Sequence, residues 1–130
     1  PPARLAIIDG SPGIGCPVVA SITGVDLVLV VAEPTLSGIH DMKRILETEG
    51  RFGAKAAVCV NRSDVCPENT RQIEEFCQRE NIPFVGKIPY DKTVIKAVNS
   101  GKTIVDFPDS AAGKAVRSLW DRVERLVTEC

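Results

Sequence analysis

Three stretches of this 130-residue chain carry residue types that could hold a phosphate, a metal ion or an aromatic base. The first is Asp9-Gly10-Ser11-Pro12-Gly13, where an acid follows the apolar run Leu5–Ile8 and opens a loop rich in glycine and proline. An acid at the tip of a buried strand can hold Mg²⁺, directly or through water, and a glycine just beyond it lets a backbone N–H approach a γ-phosphate. Asp9 would do the first and Gly13 the second. The same residues also make a tight turn in which Asp9 bonds its own loop amides, and the local pattern leaves both readings open. The second stretch is Asn61-Arg62-Ser63-Asp64, after the run Ala56–Val60. An asparagine there can present its amide to the edge of a nucleotide base, and Asp64 could accept from the ring N–H and amino group of a guanine. A plain turn and helix start uses the same residue types. The third is Pro89-Tyr90-Asp91, a rigid turn after Phe84–Ile88 whose backbone groups could close over a base.

Other reactive side chains point to less. His40 is the only histidine and has no ligand or nucleophile partner in sequence, so it is read as a helix-face residue without a catalytic role. Cys16, Cys59, Cys66, Cys77 and Cys130 form an odd set without a C-x-x-C pair, which argues against a disulfide framework or zinc site and for packed or incidental thiols. The phosphate-cradling motif G-x-x-x-x-G-K-[ST] does not occur. Gly101-Lys102-Thr103 would need its first glycine where Lys96 stands, and it reads as the exit of a helix from Thr93 to Asn99. Gly86-Lys87 and Gly113-Lys114 lack the following Ser or Thr. With no lysine and amide cradle for the β- and γ-phosphates, the chain alone is expected not to hydrolyse ATP.

The elements that would position these residues follow from periodicity. Leu5–Ile8, Leu27–Ala32, Ala56–Val60 and Phe84–Ile88 are short runs rich in Val and Ile and read as strands. The first three do not alternate polar with apolar, so they are expected to be buried on both faces, as in a parallel sheet covered by helices. Between them, Leu36, Ile39, Met42, Ile45 and Leu46 share one helical face, with Thr35 as a possible cap and Gly50 and Gly53 as the stop. Ile73, Phe76 and Cys77 mark a second helix, opened by Pro67 and Glu68 and ending near Asn81. A last helix carries an apolar stripe from Ala112 to Val127, with Trp120 as a core anchor. The alternation predicts a three-layer α/β/α fold with a mostly parallel sheet. Ligands of such sheets sit at the carboxyl ends of the strands, where all three stretches lie.

Hydrophobic residues make up 44% and charged residues 25%, the composition of a folded globular domain. The length fits one small domain. The net charge of −1 and the lack of a Lys/Arg cluster give no footprint for nucleic acid or an anionic membrane. The longest apolar run, Val25 to Ala32, is interrupted by Asp26 and falls far short of the ~20 residues of a spanning helix. The start at Pro1 lacks a secretion signal and reads as a cut inside a larger cytoplasmic protein.

Taken together, the segments from about Leu5 to Val105 resemble the MinD/ParA group of P-loop ATPases, which includes MinD-type ATPases with an inserted ferredoxin domain. Ile7 to Pro17 is similar to the group's Walker B and switch II segment, Val31 to Gly38 to the stretch after its next strand, Val60-Asn61-Arg62 to its adenine-contacting strand end, and Ile88 to Asp91 to the turn lining the base. The resemblance implies that residues 1–130 are the C-terminal portion of one nucleotide-binding domain, P-loop NTPase-like but without the P-loop strand. It implies ATP and Mg²⁺ as cofactors of the complete domain, with Asp9 at the metal, Gly13 at the γ-phosphate, and Asn61, Arg62, Pro89 and Asp91 at the base. It also implies a homodimer governed by nucleotide. An iron–sulfur cluster would sit only in an upstream insertion, since no C-x-x-C-x-x-C run occurs. In that fold the P-loop strand lies between the Asp9 strand and the Leu27 strand, so its loss should make those two pair directly or leave room for another copy. Three alternatives stay open: a non-catalytic interaction domain, a GTPase reading guanine through Asp64, and a phospho-receiver domain, for which the strand ends at Glu33 and Asn61 offer poor acceptors.

Overall fold

The structure, a computed structural model, describes residues 5–11, 22–50, 53 and 55–129. Three strands form its sheet: β1 (Leu27–Ala32), β2 (Lys55–Asn61) and β3 (Phe84–Ile88), in the order β1-β2-β3 and all parallel. Helices α1 (Leu36–Gly50) and α2 (Pro67–Arg79) provide the first two crossovers, and α3 (Lys92–Asn99), a 3₁₀ turn (Ile104–Asp106) and α4 (Ala111–Thr128) follow β3.

The sheet is covered on both faces, which makes the fold a three-layer α/β/α sandwich. Val30, Ala32, Val58 and Val60 face α1 and α2, meeting Ile39, Met42, Leu46, Ile73 and Cys77 in one core. Ala57, Cys59 and Val85 face α4 and meet Leu119 and Val123, with Trp120 packed alongside. Alternate residues of β2 therefore serve two different cores, which is why its sequence shows no polar face. Four consecutive residues, Ala57 to Val60, are fully buried.

One irregularity in β3 matters for the site. Val58 pairs with Phe84 but Cys59 pairs with Gly86, so Val85 is an extra, bulged residue. Its carbonyl accepts from Arg122 Nη1 of α4 at 3.1 Å. Gly86 sits under Leu119, whose Cβ is 3.5 Å from where a Gly86 Cβ would lie. Beyond the bulge, Lys87 turns to the α2 side and pairs with Glu74 at 3.2 Å, while Ile88 returns to the α4 side at the strand's end.

Two sequence expectations are corrected here. Leu5–Ile8 is not a strand: residues 5–11 have no regular structure, and Ile7 and Ile8 are 78% and 62% exposed. β1 is also not buried on both faces throughout, since Val31 is 57% exposed. Both have one physical cause. A strand is stable only when its backbone groups pair and its faces are covered. Among the described residues no strand lies on the outer edge of β1, so Leu5–Ile8 does not pair directly with the Leu27 strand. Elsewhere the boundaries agree closely. The second helix ends at Arg79, and two residues on Asn81, at φ 55°, turns the chain away while Ile82 N–H caps the Cys77 carbonyl at 2.8 Å.

Candidate functional site

The carboxyl ends of β1, β2 and β3 lie side by side, and the loops leaving them are tied together by side chains. After β1, buried Pro34 takes the chain out of the sheet, and Thr35 caps α1, its Oγ1 accepting from Gly38 N–H at 2.9 Å. Only glycine fits at position 38, because a Cβ would overlap the Glu33 carbonyl oxygen. Glu33 reaches across to the loop after β2, where its Oε2 accepts from Arg62 Nη2 at 3.0 Å and Nε at 3.1 Å. Asn69 Nδ2, on the first turn of α2, adds a bond to the Pro34 carbonyl at 3.1 Å.

The loop after β2 is built around Asn61. Its Oδ1 accepts from the Arg62 backbone N–H at 3.0 Å. Because an N–H must face an oxygen, this assigns the amide's orientation and leaves Nδ2 as the side chain's donor. Arg62 stands at φ 49°, a left-handed conformation costly for a residue with a side chain, and the bonds to Asn61 and Glu33 hold it there. The following turn closes with Val65 N–H on the Arg62 carbonyl at 3.1 Å. Buried Thr70 of α2 anchors it from below, its hydroxyl donating to the Ser63 carbonyl at 2.7 Å.

The turn after β3 joins the same edge. Asn61 is in register with Ile88, and the ladder continues one step beyond, with Ser63 N–H on the Ile88 carbonyl at 3.0 Å. Pro89 has no N–H, so Tyr90 offers the first donor after the strand, and Asp64 Oδ1 accepts it at 2.8 Å. Asp91 then caps two helices: one oxygen accepts from Thr93 N–H of α3 at 2.9 Å and the other from Ala112 N–H of α4 at 3.1 Å. The Ala112 amide, followed by the Thr93 groups, holds the Asp91 carboxyl below its ordinary value.

Asn61, Arg62, Pro89 and Asp91, singled out from sequence, are thus brought to one rim of the sheet. Asp91, however, spends both oxygens on helix N-termini. Asp9 is exposed in the segment without regular structure, and Gly13 lies outside the described residues. Among the described residues no three His, Cys, Asp or Glu side chains gather as a metal site. Asn61 offers an amide beside the turn after β3. An open groove of about 400 Å³ runs outside the rim from Ser63 and Asp64 towards Arg71 and the Glu74–Lys87 pair. Gly101-Lys102-Thr103 is a helix exit, with Gly101 at φ 68° and Thr103 sharing a capping box with Asp106. His40 is exposed beside Asp41, while the buried thiols of Cys59 and Cys77 are pushed up to about 11 by desolvation, as inert core thiols are. Cys16 and Cys130 lie outside the described residues.

Sequence reasoning missed the links themselves: Glu33 to Arg62, Asn69 to Pro34, and Asp64 to Tyr90. Only the double cap had a local signal, since Asp91-Lys92-Thr93 is a helix-start pattern. No helix among the described residues is long and apolar enough to cross a membrane.

No family model matches the chain. Curated relatives and solved structures do. An uncharacterized protein of Methanocaldococcus jannaschii is 28% identical over 127 residues, covering 96% of this chain and 41% of the relative. An uncharacterized ATP-binding protein of the same organism is 32% identical over 122 residues, covering 89% of this chain and 44% of the relative. Among solved structures, the cell division ATPase MinD of Pyrococcus furiosus superposes with a TM-score of 0.75 at 21% identity, over 91% of this chain and 50% of that one. The MinD cell division protein of Aquifex aeolicus gives 0.70 at 22% identity, over 88% and 50%. MinD in the MinC:MinD complex of that organism gives 0.69 at 23% identity, over 86% and 48%. The chain spans about half the length of these solved chains, and with its parallel sheet and two helical layers it has the fold of the MinD-type ATPases.

Proposed function

We propose that this chain forms the base-binding side of an ATP-binding domain and that the phosphate cradle comes from outside these 130 residues. The observation that carries this is the rim itself: Asn61, with its side-chain amide as donor, stands in register with Ile88 and beside the turn Pro89–Asp91. A donor in that place matches a ring nitrogen of a purine, and backbone groups of the turn can meet the rest of the base edge. The relationship to an ATP-binding protein of Methanocaldococcus jannaschii supports ATP as the nucleotide. Guanine is disfavoured, because pairing with its ring N–H and amino group takes both oxygens of a carboxylate, and Asp64 Oδ1 is already bonded to Tyr90. In the complete domain Asp9 would hold Mg²⁺ and Gly13 would meet the γ-phosphate.

Among the described residues no strand pairs with the outer edge of β1, and Val31 beside it is exposed, which supports a completing strand from elsewhere in the protein or from a second copy. Nucleotide-governed homodimerisation is part of the same proposal. Calorimetric titration of ATP and GTP into the full-length protein and into this chain, together with a turnover assay, tests it. ATP binding by the full-length protein in preference to GTP, with no hydrolysis by the isolated chain, is expected. Robust ATP turnover by the pure 130-residue chain, or no nucleotide binding by the full-length protein, would sink it.

A further inference from the structure

Asp64 is exposed and makes no ion pair among the described residues, yet its surroundings are fixed from several directions. The turn that carries it is closed by Val65 N–H on the Arg62 carbonyl, anchored from below by Thr70 on the Ser63 carbonyl, and zipped to β3 by Ser63 N–H on the Ile88 carbonyl. From this fixed point its Oδ1 takes the Tyr90 N–H at 2.8 Å. The turn after β3 is in this way held at both ends by carboxylates, by Asp64 at Tyr90 and by Asp91 at the N-termini of α3 and α4. Remove the first and Tyr90, a residue 49% exposed, keeps no acceptor among the described residues to hold its amide in place.

Resting on the base-binding role proposed above, we propose that Asp64 is a positioning residue: it fixes the Pro89–Asp91 turn relative to Asn61, the two places that would meet a purine base. It acts through the turn, as an acceptor, and its negative charge is not what the site uses. This differs from a guanine-reading role, in which the charge and both oxygens would meet the ligand.

Asp64→Ala and Asp64→Asn separate the possibilities, since Asn keeps an acceptor oxygen of the same reach and loses the charge. ATP is titrated into the full-length protein and both variants by calorimetry, and exchange of the Tyr90 amide is followed by NMR. Asp64→Ala is expected to speed Tyr90 exchange and weaken ATP binding about tenfold, the effect of one lost hydrogen bond. Asp64→Asn should stay within about twofold of the parent in affinity, in keeping with retention of that one acceptor. Equal losses in both variants would show that the charge matters and overturn the proposal. Faster Tyr90 exchange in Asp64→Ala with unchanged ATP affinity would reduce Asp64 to a structural tie and overturn it as well. Failure of the unaltered full-length protein to bind nucleotide overturns the base-binding role itself, and the positioning role with it.

Discussion

Leu5–Ile8 and Ala56–Val60 are short aliphatic runs of similar make-up, and they meet opposite ends. Residues 57–60 of β2 are fully buried between two strands and two helical layers, whereas Ile7 and Ile8 are exposed in a segment without regular structure. β1 lies between these extremes, paired along one edge only among the described residues, with Val31 exposed. The difference shows that an apolar run specifies a strand only where the fold supplies an edge to pair with and faces to cover it. It also ranks the strand ends. The loops after β2 and β3 leave fully paired strands and are cross-tied into a rim, while the loop containing Asp9 follows a run with no paired neighbour among the described residues.

The comparison can be broken most directly in the core. Val58→Ala in β2 is expected to cost about 2–3 kcal/mol in chemical denaturation, from ~0.8 kcal/mol for each lost methyl plus a cavity term. A loss near zero would mean that the central strand is not packed as described. A smaller effect should come with acid. The Asp91 carboxyl is held below its ordinary value of 3.8 by the Ala112 and Thr93 groups, so its stabilising contribution is complete above that value and is lost as pH falls through the depressed folded value. Asp106, lowered by Thr103, acts in the same sense, and Glu49, raised from 4.5 by burial, acts in the opposite one. The thermal midpoint should therefore drop below about pH 4, and the drop should be shallower in Asp91→Asn. An identical acid limb in that variant would contradict the double cap. Least affected should be Ile7→Ala, within about 0.5 kcal/mol of the parent in the same denaturation experiment. A loss matching that of Val58→Ala would reveal a buried, paired strand at Leu5–Ile8.

The placement of the candidate residues was legible in the sequence because they sit at strand ends, and strand ends follow from the apolar runs. Asn61, Arg62, Pro89 and Asp91, the residues proposed for the base, follow such runs, and β2, β3 and the intervening α2 place them on one rim. The ties were not legible. Glu33 and Arg62 are separated by 29 positions and Asp64 and Tyr90 by 26, and no local pattern links residues that far apart. The bulge at Val85 was equally hidden, since it arises from Gly86 packing under Leu119 and from Arg122 reaching the freed carbonyl.

By itself the sequence determined the alternation of strand and helix, and with it a parallel sheet between two layers, because apolar periodicity and helix stop signals are local properties. It also determined that no G-x-x-x-x-G-K-[ST] loop occurs in these residues. Only the tertiary structure decided which runs became strands and what the polar residues at their ends do. Leu5–Ile8 shows the first, because pairing needs a neighbouring edge that composition cannot announce. Asp64 shows the second: the acid that could have read a base instead accepts the Tyr90 amide, because folding brings that donor to it and Pro89 leaves it the first one unpaired beyond β3.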